Sequence, residues 1–359
     1  MKWSLNLGRV AGIKILVHWT FVLLLGWVVF TEMQRGSDLQ TTLLALAFIL
    51  LVFFCVVLHE LGHSLTAQRF GINTKTITLL PIGGVASLER MPEKPKQELL
   101  IAAAGPAVNV VIALILWLVL PSLRNVPTEE FFMRITPANF FYLLFFVNIV
   151  LVLFNAIPAF PMDGGRVLRA LLAFKLGRPR ATQIAANLGQ LLAIGFVFIG
   201  FFYNPFLILI GAFVYFGAYS ENILVQHLDY LRGHRVREGM MTSFVTLPPT
   251  ATVREALDKL LMGSEHEFIV EQDGVVAGTL TRSQLIHAVK AEQMQTPVAE
   301  IMSGEVRTFD VQDKLSEAYT ELQKTRVPLY PVLENGRLAG VINTDNINEF
   351  IMIKSALTH

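Results

Sequence analysis

The sequence predicts an α-helical polytopic membrane protein with six spans, followed by a C-terminal α+β domain made of two repeats. Hydrophobic residues make up 53% of the 359 residues and charged residues only 16%. A soluble domain has charged residues at about a quarter of its positions, so this composition is too apolar for an ordinary soluble protein. Long apolar runs fill the chain up to Leu224, charged residues become frequent after Arg232, and the last part of the chain repeats itself.

Two counts narrow the class of protein further. The formal net charge is only +1, whereas a nucleic-acid-binding protein carries a basic excess on one face. Cys55 is the single cysteine, which excludes a disulfide bond within the chain. Because Cys55 lies inside an apolar run, we expect it to be a small, membrane-buried side chain.

The first span is predicted over Ile15 to Phe30, after a segment that carries Lys2, Arg9 and Lys14. This arrangement resembles a signal peptide, but no small-x-small cleavage site follows it, so we expect the span to be retained. His18 lies near its start. A packed or interface-facing histidine is favoured there over a proton sensor or a residue close to a metal.

The second span, about Thr41 to Phe70, contains the string His59-Glu60-Leu61-Gly62-His63. Two histidines four residues apart share one face of a helix and can bind one zinc ion. Glu60, next to the first histidine, is placed to take a proton from a water molecule at that metal. The alternative is a helix end where polar residues meet lipid headgroups, but polar groups there are costly unless they are paired or functional.

A strand or hairpin is predicted over Thr74 to Leu88, with a glycine bend in Pro81-Ile82-Gly83-Gly84-Val85. One interpretation is a connecting loop. The other is an edge strand beside the metal, where Gly83 and Gly84 bind an extended substrate through its backbone. A protease that cuts a helix has to unwind it and offer such backbone partners, which favours the second interpretation.

The third and fourth spans are predicted over Glu98 to Leu120 and Asn139 to Ile157. In the third span, Gly105-Pro106-Ala107 provides a small, kinked face for close helix contact. Two asparagines of the fourth span, Asn148 and Asn155, lie seven residues apart and therefore share a face. Asn155 either contacts substrate or supports the metal site, or it makes a hydrogen bond between helices.

A third metal ligand is expected because a catalytic zinc usually has three protein ligands and one open position. The candidate is Asp163, in the stretch Asn155-Ala156-Ile157-Pro158-Ala159-Phe160-Pro161-Met162-Asp163-Gly164-Gly165-Arg166. Its prolines break the fourth span, and Asp163 is also placed to cap a short helix that we predict up to Leu176, at the membrane surface. One carboxylate can bind a metal through one oxygen and accept backbone hydrogen bonds through the other, so both roles remain open.

The last two spans are predicted over Ile184 to Phe202 and Pro205 to Leu224, so that both termini lie on one side of the membrane. Of the lysines and arginines near span ends, 13 lie on that side and 3 on the other. The first group is Lys2, Arg9, Lys14, Arg69, Lys75, Arg90, Lys94, Lys96, Arg166, Arg169, Lys175, Arg178 and Arg180, and the second is Arg35, Arg124 and Arg134. The positive-inside rule therefore predicts a multi-pass protein of the cell membrane with cytoplasmic termini.

The C-terminal part contains a repeat. Asp273-Gly274 and Asn335-Gly336 each lie between apolar runs, which is the signal of a tight hairpin, and Gly278 and Gly340 occupy matching positions 62 residues apart. Met241-Thr242 likewise matches Met302-Ser303. Each repeat is therefore predicted to contain β-strands with flanking helices.

These motifs resemble the site-2 protease family of intramembrane zinc metalloproteases. The string HELGH and the stretch NAIPAFPMDGGR match closely, Ala104-Gly105-Pro106-Ala107-Val108-Asn109 matches as well, and the C-terminal repeats resemble the branch with tandem CBS domains. The resemblance implies that His59, His63 and Asp163 bind one zinc ion per chain and that Glu60 is the general base. It implies no other cofactor-binding residue.

The CBS resemblance also implies adenine nucleotide binding, in which an aspartate of each repeat holds the ribose. Gln284 and Asn346 stand at the matching positions. An amide can still form a hydrogen bond but brings no charge, so weak binding at best is predicted. The pair is then expected to act through association, as a dimer module, or as a regulator of the membrane domain.

The predicted function is a zinc endopeptidase that cuts transmembrane segments of other proteins in the lipid bilayer, regulated by the CBS pair. A CBS-regulated channel or transporter is the alternative, and the four residues of the zinc site argue against it because a permeation path does not need them. An inactive scaffold ranks last. The predicted domains are 1–228 for the membrane metalloprotease, 229–240 for a linker, and 241–294 and 295–359 for the two CBS repeats.

Overall fold

The structure is a computed structural model that describes residues 4–81, 83–88, 92, 94–120, 135–263, 267–325 and 327–357. The chain forms two compact units, Met1–Val225 and Gln226–His359. The first unit is mostly helical, and the last of its helices runs on past the boundary. Its helices are α1 Thr20–Gln34, α2 Leu39–Gln68, α3 Pro95–Val119, α4 Phe140–Ala156, α5 Asp163–Leu176, α6 Arg178–Phe202 and α7 Phe206–Tyr230.

Within the described residues, four helices are long and apolar enough to cross a membrane, namely α2, α3, α6 and α7. The helices α1 and α4 are apolar but shorter, with 15 and 17 residues. At 1.5 Å per residue they reach about 22 and 25 Å, against a hydrocarbon core of about 30 Å. The structure therefore supports a membrane protein with four candidate spans, and the count of six stays a prediction.

A four-stranded sheet joins the N-terminus to the segment after α2. Its strands are β1 Ser4–Val10, β2 Ile13–His18, β3 Thr74–Leu80 and β4 Gly83–Leu88, in the order β1-β2-β3-β4. Strands β2 and β3 are parallel, and the outer pairs are antiparallel. The hairpin predicted over Thr74 to Leu88 is thus confirmed, and β4 is an edge strand.

The prediction of the first span is wrong at its beginning. Residues Ile15 to His18 belong to β2, and the helix starts only at Thr20. Ala11 and Gly12 both have positive φ, 50° and 82°, and form the turn that pairs β1 with β2. Ile13 and Ile15 are apolar because they are buried against α2. They are two residues apart, so their side chains lie on the same face of the strand.

His18 ends β2, and its Nδ1 lies 2.8 Å from the hydroxyl of Thr20, at the start of α1. Cys55 is buried in the membrane unit, as predicted. Much of the predicted loop from Pro121 to Pro137 lies outside the described residues, as do Ile82 of the glycine bend and the basic residues Lys2, Arg90, Arg124 and Arg134.

The second unit contains two repeats of the same order of elements. After the short helix α8 Val236–Gly239, the first repeat is β5 Thr246–Leu247, α9 Val253–Met262, β6 Glu267–Gln272, β7 Val275–Thr281 and α10 Arg282–Lys290. The second repeat is β8 Phe309–Asp310, α11 Leu315–Thr325, β9 Tyr330–Glu334, β10 Arg337–Ile342 and α12 Thr344–Leu357. In each sheet the first strand is parallel to the middle one and the third is antiparallel to it.

The two hairpin turns have the predicted geometry. Asp273 and Gly274 have φ of 55° and 80°, and Asn335 and Gly336 have φ of 53° and 79°. Positive φ at both central residues is the property of a type I′ turn, which matches the twist of paired strands. The Asp-Gly and Asn-Gly pairs therefore specify these hairpins locally.

Each repeat contributes a segment to the other. Met241 pairs with Val341 of the second repeat, and Ser303 pairs with Thr279 of the first. The predicted linker, 229–240, is partly structural: it contains α8, and the backbone N–H of Val236 donates to the carbonyl of Asp313. This reciprocal exchange indicates that neither repeat is complete without the other.

Candidate metal centre

The two histidines of the HELGH string lie on the buried face of α2. His59 and His63 are 7% and 6% exposed, and their Nε2 atoms are 3.0 Å apart. Gly62 lets α3 approach this face, since a Cβ at that position would lie 2.8 Å from the carbonyl oxygen of Ala104. The four-residue spacing places both imidazoles on one face of α2, as predicted, and the approach of α3 puts them between two helices.

Asp163 reaches the same point from the first position of α5, directly after the loop that follows α4. The loop contains Pro158 and Pro161, which prevent α4 from continuing past Ala156. The next two residues, Gly164 and Gly165, allow α5 to begin against the loop backbone, because a Cβ at either one would overlap its carbonyl groups. As a result, Asp163 Oδ2 lies 3.1 Å from the Nε2 atom of each histidine.

The outer nitrogens of both rings are occupied. His63 Nδ1 lies 2.7 Å from the backbone carbonyl of Ile101, which can only accept, so Nδ1 carries the proton. His59 Nδ1 lies against the side-chain oxygen of Asn109. Both Nε2 atoms therefore present lone pairs, and with Asp163 Oδ2 three acceptors converge with no proton between them. A cation satisfies this arrangement.

The donor set and the available space fit zinc. Two imidazole nitrogens and one carboxylate oxygen are a known catalytic zinc set, and ligands at tetrahedral zinc lie about 3.3 Å apart, close to the separations found here. Gly105 faces the site directly, because a Cβ there would overlap Nε2 of both histidines. A side chain at this position would occupy the space next to both Nε2 atoms.

Glu60 lies beside this group without joining it. In the described residues the atoms that converge belong to His59, His63 and Asp163. The Glu60 side chain runs along β4, where a Cβ on Gly84 would come within 2.7 Å of its Cγ. The Glu60 carboxylate thus lies close to the edge strand β4 and next in sequence to His59.

Comparison with known proteins connects this geometry to a family. Peptidase family M50 matches residues 47–133 and 126–199, and the CBS domain matches residues 235–291 and 298–353. Over 351 residues the chain is 34% identical to zinc metalloprotease MJ0392 of Methanocaldococcus jannaschii, covering 97% of this chain and 96% of that protein. The chain belongs to peptidase family M50, the site-2 protease family.

Two further proteins are similar to this chain. Stage IV sporulation protein FB of Bacillus subtilis is 23% identical over 256 residues, which cover 68% of this chain and 84% of that protein. A solved site-2 protease from Methanocaldococcus jannaschii is 40% identical and covers 61% of this chain and 95% of its own, with a TM-score of 0.46. The chain is a zinc metalloprotease with tandem CBS domains, and the channel or transporter alternative has no support.

The structure gives the local hydrogen bonding of two residues in the M50 aspartate motif. Asp163 does not cap α5 with its side chain: the N-cap position is Met162, and Asp163 is the first helical residue. Its carboxylate lies against the two histidines, and its negative charge at the N-terminus of α5 is favourable there. Asn155 donates from Nδ2 to the carbonyl of Leu151 in its own helix, at 3.0 Å.

Arg169, which we predicted at the membrane surface, is buried. Its Nε lies 2.7 Å from Oε1 of Glu98 on α3, and its Nη1 lies 2.5 Å from Oε1 of Glu221 on α7. Its guanidinium also stacks on Phe160 of the aspartate loop, 4.8 Å from the ring centre. This ion network joins three helices around the loop that precedes Asp163. The sequence pattern showed Arg169 only as one basic residue among several on α5.

The sequence interpretation also missed two residues that lie against the two histidines. Asn109 and Gly105 were noted only within the family string and as a small helix face. The available signal was an asparagine in the middle of an apolar span, since a polar residue there is rarely without a partner. The partners of Asn109, however, lie on other helices, and helical periodicity relates only residues of one helix.

Proposed function

We propose that this M50 metalloprotease cleaves transmembrane segments of other membrane proteins, with zinc held by His59, His63 and Asp163 and with Glu60 as general base. One observation supports the proposal above all: three acceptor atoms converge in a buried site on α2, a helix long enough to cross a membrane. A peptidase site at that location meets substrates that are themselves in the membrane, in the manner of regulated proteolysis.

Zinc, when bound, lowers the pKa of water and polarises the peptide carbonyl. Glu60 takes the proton of the attacking water, because its carboxylate projects from the same helix turn as His59 without joining the ligand atoms. As the water oxygen bonds to the carbonyl carbon and the C–N bond breaks, Glu60 passes the proton to the departing amine. His59, His63 and Asp163 keep their positions throughout.

The edge strand β4 is the proposed substrate platform. Its outer edge has no partner strand within the four-stranded sheet, so its backbone is able to pair with an extended peptide. Gly83 and Gly84 lie at its start, and Gly84 is next to Glu60, so a strand bound here passes close to the base. Asn155 is proposed to contact the same substrate.

The full chain reconstituted in vesicles is expected to contain zinc and to cleave a membrane-spanning test substrate. Removing zinc with a chelator should stop cleavage and returning zinc should restore it, because the three acceptors cannot activate water alone. The control presents the same segment in a soluble fusion protein. Cleavage that survives complete zinc removal would contradict the zinc role, and cleavage only of the soluble form would contradict the substrate class.

Six spans with both termini in the cytoplasm are proposed from the 13 to 3 distribution of basic residues. An alkaline phosphatase reporter, which folds only outside the cytoplasm, should be inactive when fused after the last residue. A reporter that is fluorescent only in the cytoplasm should be active there. The reverse pattern would overturn this topology.

For the C-terminal unit we propose a CBS pair that regulates the protease and associates as a dimer. The proposed division is 1–228 for the protease domain, 229–240 for the connection, and 241–294 and 295–359 for the repeats. The reciprocal pairings of Met241 with Val341 and of Ser303 with Thr279 support treating the two repeats as one regulatory module.

Adenine nucleotides should bind the full chain weakly. The Gln284 amide is already in use: its Oε1 accepts from the backbone N–H of Thr281 at 2.8 Å, and its Nε2 donates to Ser303 at 3.0 Å. A missing charge-assisted hydrogen bond costs about 1.5–3 kcal/mol, or roughly tenfold to over a hundredfold in affinity. Calorimetry with ATP and AMP is the measurement, and micromolar or tighter binding of either would contradict the expectation.

A further inference from the structure

A chain of hydrogen bonds leads from the metal site into the membrane unit. His59 Nδ1 lies against Asn109 Oδ1, Asn109 Nδ2 lies 2.8 Å from Asn148 Oδ1, and Asn148 Nδ2 lies 2.8 Å from the carbonyl of Leu144. These residues come from α2, α3 and α4. Both asparagines are fully buried, with 0% exposure. We propose that Asn148 is a positioning residue that sets the tautomer of His59, although it touches no metal ligand.

The donor and acceptor roles in these hydrogen bonds are set by the last acceptor, the carbonyl of Leu144. The carbonyl of Leu144 can only accept a hydrogen bond, so Asn148 must turn its NH₂ group towards it. The same NH₂ group lies 3.7 Å from the sulfur of Cys55, a weak acceptor. Asn148 Oδ1 must then face α3, where it accepts from the NH₂ group of Asn109.

The orientation of the Asn109 amide in turn determines the tautomer of His59. With its NH₂ group used by Asn148, Asn109 presents only Oδ1 to His59, and an oxygen without a hydrogen needs a donor. The proton of His59 therefore sits on Nδ1, and the lone pair on Nε2 points to His63 and Asp163. The opposite amide orientation would present an NH₂ group to Nδ1, move the proton to Nε2 and prevent this ring from binding zinc.

The alternative is that Asn109 and Asn148 only join helices. A hydrogen bond between helices stabilises the fold in either orientation of the amides, so that role predicts lower stability on mutation but a normal zinc affinity of the folded protein. The positioning role predicts instead that mutation lowers the zinc affinity of the folded protein. Partners of metal-bound histidines typically contribute 10–100-fold to metal affinity.

The experiment measures zinc affinity of the purified full chain by competition with a chelator, on folded protein. Because the inference rests on the proposed zinc site, the wild-type affinity is measured first. Asn148→Leu should bind zinc about 10–100-fold more weakly, because Asn109 is released to rotate. Asn148→Ser is a second variant that keeps a polar side chain. Its hydroxyl can donate to the Leu144 carbonyl but no longer accepts from Asn109, so the same loss of zinc affinity is expected.

Asn148→Asp is the rescue variant. A buried aspartic acid in its neutral form donates through O–H to Leu144 and accepts from Asn109, so it preserves the direction of the chain and should keep the wild-type affinity within about threefold. Thr182→Val is the matched control, because Thr182 is also fully buried but bonds to the Arg178 carbonyl of its own helix α6. Its zinc affinity should be unchanged.

The outcomes separate the two assignments. Weak binding by the Leu and Ser variants with recovery in the Asp variant supports the positioning role. Wild-type affinity in a folded Leu or Ser variant, or an equal loss in the Asp variant, overturns it and leaves the zinc site intact. A wild-type protein that binds no zinc refutes the proposed site itself.

Discussion

Glu60→Gln should reduce cleavage of a membrane-spanning substrate by about 10²–10⁴-fold while the zinc content stays at the wild-type level. Glutamine has nearly the same shape as glutamate but cannot take a proton from water. Since Glu60 lies outside the three converging ligand atoms, its replacement leaves the ligand set complete. The measurement pairs a single-turnover cleavage assay with metal analysis of the same preparation.

The control for this variant is Glu32→Gln. Glu32 is a buried glutamate of the membrane unit, whereas Glu60 is half-buried; Glu32 lies on α1 and accepts from Ser37 at 2.7 Å, away from the ligand group. It should retain cleavage. Near-normal cleavage by Glu60→Gln would refute the general-base role, and loss of zinc in that variant would mean that Glu60 is a ligand.

Asp163→Ala should weaken zinc binding by more than the factor of about 100 that outer partners of zinc ligands contribute, and it should abolish cleavage. The reason is geometric, because Asp163 Oδ2 is the only charged atom of the three, 3.1 Å from each Nε2. Two neutral imidazoles then face each other without a counter-charge for the ion. Zinc is measured per folded chain after dialysis against a buffered zinc solution.

Asp38→Ala is the matched control for this loss. Asp38 also stands at the beginning of a helix, where it accepts from the backbone N–H of Thr41 at 3.0 Å, but it lies at the other end of α2 from the histidines. Its loss should weaken the first turn of α2 and leave zinc in place. If Asp163→Ala keeps stoichiometric zinc, the third ligand is another residue.

Several features were predictable from the sequence because each depends on residues close together in the chain. The two histidines share a face through helical periodicity, which a four-residue spacing specifies. The Asp-Gly and Asn-Gly turns specify their hairpins through positive φ, and the prolines after Ala156 end α4 by removing hydrogen-bond donors. The short helix predicted from Asp163 to Leu176 matches α5, and it too depends only on neighbouring residues.

Other features were decided only by the tertiary structure, because they join residues that no local pattern relates. The motifs marked Asp163 as a ligand, but its position follows from the packing of the α4–α5 loop. Ile15 was predicted to begin an apolar span, but the pairing of β2 with β3 places it in a sheet. The partners of Arg169 and Asn109 come from other helices. A buried polar side chain is stable only beside a complementary group, and only the folded chain brings that group within hydrogen-bond distance.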